Sequence, residues 1–94
     1  MKIPDNISKE HLSRAIKRIK NDGIPAYASS QYYDVVLENG EKYPPKLILS
    51  YANLYANGEE LDRTKFRGGL NTECFNLLQK YGFKIEPSDE QSIP

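Results

Sequence analysis

The chain has 94 residues, enough for one domain and too few for two, and its thirteen basic and thirteen acidic residues leave no formal net charge. No run of about 18 apolar residues occurs, so no segment is expected to span a membrane, and the opening Met1–Asn6 lacks the apolar stretch of a secretory leader. One cysteine, Cys74, excludes an internal disulfide and fits a reducing cytoplasm.

The charge is unevenly spread. Residues 86–94 hold Glu86, Asp89 and Glu90 and no base, so residues 1–85 keep thirteen cations against ten acids, an excess of +3. Seven tyrosines stand against three phenylalanines and no tryptophan. Tyrosine joins apolar area to a hydrogen-bonding tip, which suits a small core with one wet edge and also a recognition surface.

After a short lead-in over Met1–Ile7, Ser8 is a natural N-cap and Gly23 a natural stop, predicting a helix that ends at Asn21–Asp22. Leu12, Ala15, Ile16 and Ile19 form its apolar stripe. Lys9, Arg14, Lys17, Arg18 and Lys20 occupy much of the remainder. Such a face is either an electrostatic footprint for phosphate or a solvated surface whose cations favour the helix C-terminus. Gly23–Gln31 then reads as a loop, with Ile24, Ala26 and Tyr27 as expected core anchors and Ser29, Ser30 and Gln31 as free polar groups.

Tyr32–Ala56 organises the rest. Tyr32–Glu38 is rich enough in β-branched and aromatic residues for a strand, and Asn39-Gly40 predicts a two-residue type I′ hairpin returning through Glu41–Tyr43. That loop length sets Glu38 opposite Glu41, Leu37 opposite Lys42 and Val36 opposite Tyr43, with Tyr33, Val35 and Leu37 on one side. Pro44 ends the ladder, and Pro45 suits the first turn of a helix reaching about Ala56. The helix is apolar nearly all round. Only Lys46, Ser50, Asn53 and Asn57, spaced four, three and four, form a narrow stripe expected to be wet.

Asn57-Gly58 stops this helix, and Glu59–Leu70 is a loop anchored by Leu61 and Phe66. Arg67-Gly68-Gly69 precedes a helix start capped by Asn71 or Thr72. Two glycines there allow backbone N–H groups to approach an anion, with Arg67 adding charge, although Gly-Gly is also a common tight turn. A third helix over about Thr72–Tyr81 buries Cys74, Phe75, Leu78 and Leu77. Gly82 stops it, and Phe83–Ile85 forms a third strand. The domain is thus expected over residues 1–86, with 87–94 a polar tail or linker.

Catalysis is not expected. His11 is the sole histidine, Cys74 lies on an apolar helix face, and Asp34, Glu38 and Glu41 lack a lysine at the spacing of a metal-dependent nuclease motif. No cofactor is implied. Binding is the better class, in two versions. In one, DNA is contacted by Lys46, the stripe Ser50, Asn53 and Asn57, the Arg67-Gly68-Gly69 turn and the first-helix residues Arg14, Lys17 and Arg18. In the other, the domain docks or dimerises with protein.

The motifs Tyr33, Asn39-Gly40, Tyr43-Pro44-Pro45-Lys46, Phe66-Arg67-Gly68-Gly69 and Tyr81-Gly82-Phe83 resemble, in order and spacing, the N-terminal head domain of McrA-like HNH restriction endonucleases. The resemblance covers residues 7–86. It departs where Arg67 replaces a frequent serine and Tyr81 a leucine. It implies a DNA-associated module in a defence or restriction context, with DNA, modified or unmodified, as its partner and a nuclease domain usually attached. The HNH chemistry would reside in a separate domain of a longer chain.

The fold expected is α+β, three helices on a roughly three-stranded antiparallel sheet in the order α-β-β-α-α-β. A winged-helix-like arrangement is the alternative.

Overall fold

The structure, a computed structural model, describes residues 2–28 and 32–88. Ser29, Ser30 and Gln31, read above as free polar groups, and residues 89–94 of the expected tail lie outside the described residues.

Helix α1 spans Lys9–Asp22 and is entered through a reciprocal cap. The Ser8 hydroxyl accepts from the His11 backbone N–H, while His11 Nδ1 accepts from the Ser8 backbone N–H at 3.0 Å. The only histidine therefore has a structural task. Leu12, Ala15, Ile16 and Ile19 are buried, as the periodicity requires. Ile3 and Ile7 join the same core, so the lead-in is packed down rather than loose.

Strand β1 (Tyr33–Val36) is central in a sheet ordered β2-β1-β3, with β2 at Lys42–Tyr43 and β3 at Lys84–Pro87, both antiparallel to β1. The hairpin register differs from the expectation by one residue: Val35 pairs with Tyr43 and Val36 with Lys42. Its loop has three residues. The Leu37 N–H donates to the Glu41 carbonyl, the Gly40 N–H donates to the Leu37 carbonyl, and only Gly40 has positive φ, +89°. This is a turn followed by a left-handed glycine, in place of the type I′ turn. The Asn39 side chain stabilises it by accepting from the Glu41 N–H at 2.9 Å and donating to the Glu41 carboxylate. Burial explains the register, because the shift lays Tyr43 beside Val35 in the core and turns Lys42 to solvent.

Helix α2 (Pro45–Asn57) is the axis of the molecule and touches α1, α3 and β1. Gly58 closes it in the left-handed conformation. Helix α3 (Glu73–Lys80) is capped by the Thr72 hydroxyl and buries Cys74, Phe75 and Leu78, while Leu77 is half-buried. It ends in a Schellman turn: the Phe83 N–H donates to the Leu78 carbonyl and the Gly82 N–H to the Gln79 carbonyl. β3 continues to Pro87, two residues beyond the expected end of that strand, and the Ser88 N–H extends the ladder to the Tyr32 carbonyl. Proline is tolerated there because β3 is an edge. The element order is the expected one.

Candidate nucleic-acid interface

The polar stripe of α2 is not a wet face. Ser50 and Asn53 are 1% and 2% exposed. The Ser50 hydroxyl donates to the Leu61 carbonyl at 2.7 Å, and the Leu61 N–H returns a bond to the Ser50 carbonyl. The Asn53 amide donates to the Glu59 carbonyl at 2.8 Å. Asn57 is exposed, yet it donates to Asn53 Oδ1 at 2.6 Å and exchanges two bonds with Asn6. At the other end, Lys46 Nζ sits 5.3 Å from the Phe66 ring centroid. After Gly58 the chain doubles back along α2, held by Ser50 and Asn53 and with Phe66 against Lys46. The spacing of the stripe was legible; its partner was not, because buried hydroxyls and amides matched to a loop read the same as exposed ones.

This return path delivers Gly68 onto Lys46. A Cβ on Gly68 would stand 3.0 Å from Lys46 Cγ, 3.1 Å from Cδ and 3.5 Å from the Phe75 ring. Glycine is required there so that the lysine stem passes beneath the turn, half-buried, with its ammonium emerging at the corner. Pro44 gives α2 no side-chain cap, so the positive end of the helix opens at the same corner.

Lys46, Gly68 and Gly69 form one wall of a cleft of about 520 Å³. Pro44, Pro45 and Phe75 line its base, and Tyr27, Tyr32, Tyr33 and Arg63 complete it. Tyr33 meets the Phe75 ring edge-on, centroids 5.5 Å apart. Arg63 stacks its guanidinium 4.8 Å from the Tyr27 ring centroid and donates to the Tyr27 carbonyl. Arg63 leaves a turn built by Asp62, whose carboxylate accepts from the Thr64 N–H and hydroxyl, and these bonds hold its pKa below the usual carboxylate range. Tyr27 and Ile24, expected as anchors, are 79% and 43% exposed; with Ala26 also exposed, the core contact of that segment is Ala28. The expected anchors Leu61 and Phe66 are buried.

Arg67 is exposed and adjoins the cleft through Gly68. Arg14, Lys17 and Arg18 do not line it. Arg18 lies 4.1 Å over the Tyr51 ring and pairs with Asp22 and Glu60, and Arg14 lies 5.3 Å over Tyr55. These two arginines are partly consumed by the fold, whereas Lys17 is exposed. Tyr27, Tyr32 and Arg63 are the cleft residues that sequence reasoning missed. The available signal was the alternation Arg63, Lys65, Arg67, three cations within five residues.

Cys74 is buried beside this corner, and desolvation pushes its thiol up to about 12, with Lys46 opposing the shift only in part. It is a protonated thiol at neutral pH and no nucleophile. No helix among the described residues is long and apolar enough to cross a membrane.

The family described as "ScoMcrA-like, N-terminal head domain" matches residues 5–87, and the chain belongs to it. No curated protein and no solved structure gives a match. The α+β fold and this membership define an N-terminal domain of a restriction-type defence protein.

Proposed function

We propose that this domain is a non-catalytic DNA-binding or specificity module of a cytoplasmic defence nuclease, whose nuclease domain belongs to the same longer chain. The observation that carries the reading is the cleft corner, where Lys46, Arg63 and the Gly68-Gly69 turn converge and Arg67 adjoins. Lysine, arginine and backbone N–H groups at one concave corner suit phosphate contacts, which position a protein on a duplex. Family membership supports the same assignment. Of the remaining candidates, Asn57 and Lys17 stay at the surface as secondary contacts, while Ser50 and Asn53 support the loop that carries the corner.

The test is fluorescence anisotropy with short labelled duplexes, unmodified and cytosine-modified, across a range of salt concentrations. Binding weakens with salt, and Lys46→Ala and Arg67→Ala each reduce the salt slope by about one. Unchanged binding in both variants removes these residues from the interface. Absence of binding at low salt overturns the DNA reading and favours protein docking or dimerisation.

A further inference from the structure

Resting on the DNA reading, we infer that the cleft accepts one unstacked nucleobase, sandwiched by tyrosine rings, with its phosphate held by Lys46 and Arg63. Four aromatic side chains converge there, and two of them, Tyr27 and Tyr32, are 79% and 63% exposed. Tyr33 and Phe75, locked edge to face, are half-buried and buried and form the floor. Large rings left in water at the rim of a preformed cleft are binding surfaces more often than packing.

The charge of the lining selects the ligand. Among the described residues, Lys46 and Arg63 are the ionic groups of the lining, and no carboxylate lines it. An aromatic cage for a quaternary ammonium or a methylated lysine would repel its own ligand here. A planar ring carrying an anion satisfies both features at once, and a nucleotide is that object. Within a regular duplex both faces of a base are already covered. The ligand is therefore a base released from the stack, displaced from a duplex or offered by a single strand. The Arg63 guanidinium already lies 4.8 Å from the Tyr27 ring centroid, and Tyr27 still leaves 79% of its surface open.

The experiment compares anisotropy titrations of the full chain with four labelled DNAs. These are a matched duplex, the same duplex with one bulged nucleotide, the same bulge made abasic, and the single strand. The expected result is about tenfold tighter binding of the bulged duplex, the single strand or both than of the matched and abasic duplexes, by the energy of one base stacked on an aromatic side chain. Preference for the bulge identifies a displaced base as the source, and preference for the strand a single-stranded segment. Tyr32→Ala and Tyr27→Ala abolish the preference for the unstacked base. Their exposure means that the fold survives, as circular dichroism checks. Equal binding of all four DNAs overturns the inference and leaves the DNA reading standing. Loss of all DNA binding at low salt overturns both. Equal DNA binding with capture of a phosphotyrosine peptide in a Tyr32-dependent manner assigns the cleft to a protein partner, and likewise overturns it.

Discussion

Replacing Ser50 by alanine decides whether the polar stripe of α2 serves the fold or a partner. The hydroxyl is 1% exposed and donates to the Leu61 carbonyl at 2.7 Å; Leu61 itself is 5% exposed. Removing the donor forfeits a bond worth about 1 kcal/mol and leaves a buried carbonyl short of a partner, a further cost of about 1 kcal/mol or more. Alanine returns roughly 0.4 kcal/mol of helix propensity. The net loss is about 1.5 kcal/mol, which for a domain of this size lowers Tm by about 6–12 °C. Urea melts read it directly: the midpoint falls while the m-value holds. Asn53→Ala extends the test. Asn53 grips the carbonyl of Glu59, two residues from Leu61, so the two losses overlap and the double variant falls short of additivity by more than about 0.5 kcal/mol. A Ser50→Ala cost below about 0.5 kcal/mol, the range of a surface substitution, would refute the intramolecular assignment and return the stripe to solvent.

Gly82→Ala should cost about 1–2 kcal/mol in the same melts. Its φ of +89° is strained for any residue with a Cβ, while an added Cβ meets nothing within 4 Å, so the loss is conformational; an unchanged midpoint would contradict it. Cys74 makes stability fall in alkali. Burial pushes its folded pKa up to about 12, above the 9.0 of a solvated thiol, so the folded state retains a proton that the unfolded state loses. The stabilisation is complete below about pH 9 and declines between about 9 and 12, by at most about 1.4 kcal/mol per pH unit. Cys74→Ala should be less stable at pH 7 and flatter above pH 9. Burial also raises the Tyr43 phenol, aided by the Glu41 carboxylate, so a residual slope remains above about pH 10. An identical alkaline slope in the variant, or fast labelling of the native thiol at pH 8, would remove Cys74 from this role.

Local chemistry made most of the fold legible. Ser8, Gly23, Pro45, Gly58, Thr72 and Gly82 act at helix ends because each supplies a cap, a missing donor or a left-handed conformation that neighbouring residues do not. The hairpin register was less legible. Asn-Gly fits both a two-residue loop and the last two positions of a three-residue one, and the choice fell to burial of Tyr43 against Val35. The cleft was least legible. Tyr27 and Tyr32 flank residues far in sequence from Lys46 and Gly68, and only the return path of Glu59–Leu70 along α2 brings Arg63 and Gly68 to that corner. Apolar pattern reasoning assigned Tyr27 and Ile24 inward because it counts hydrophobicity and does not register that Ala28 already fills the available place.

Neutrality of the whole chain does not weigh against phosphate contact, because among the described residues the cleft is lined by Lys46 and Arg63 and by no carboxylate. What reaches solvent at the cleft is Lys46, Arg63 and, beside it, Arg67. Neutrality does bear on how binding behaves. A balanced chain steers DNA weakly over distance, so affinity rests on short-range contacts whose number the salt dependence counts. Three phosphates neutralised by these three residues give a slope of log K against log salt near −3, at about −0.9 per contact. A slope steeper than about −5 requires further cations, and the exposed Lys9 and Lys17 of α1 would supply them. Double replacement of those lysines would then flatten the slope, whereas with the cleft alone in contact it leaves the slope unchanged.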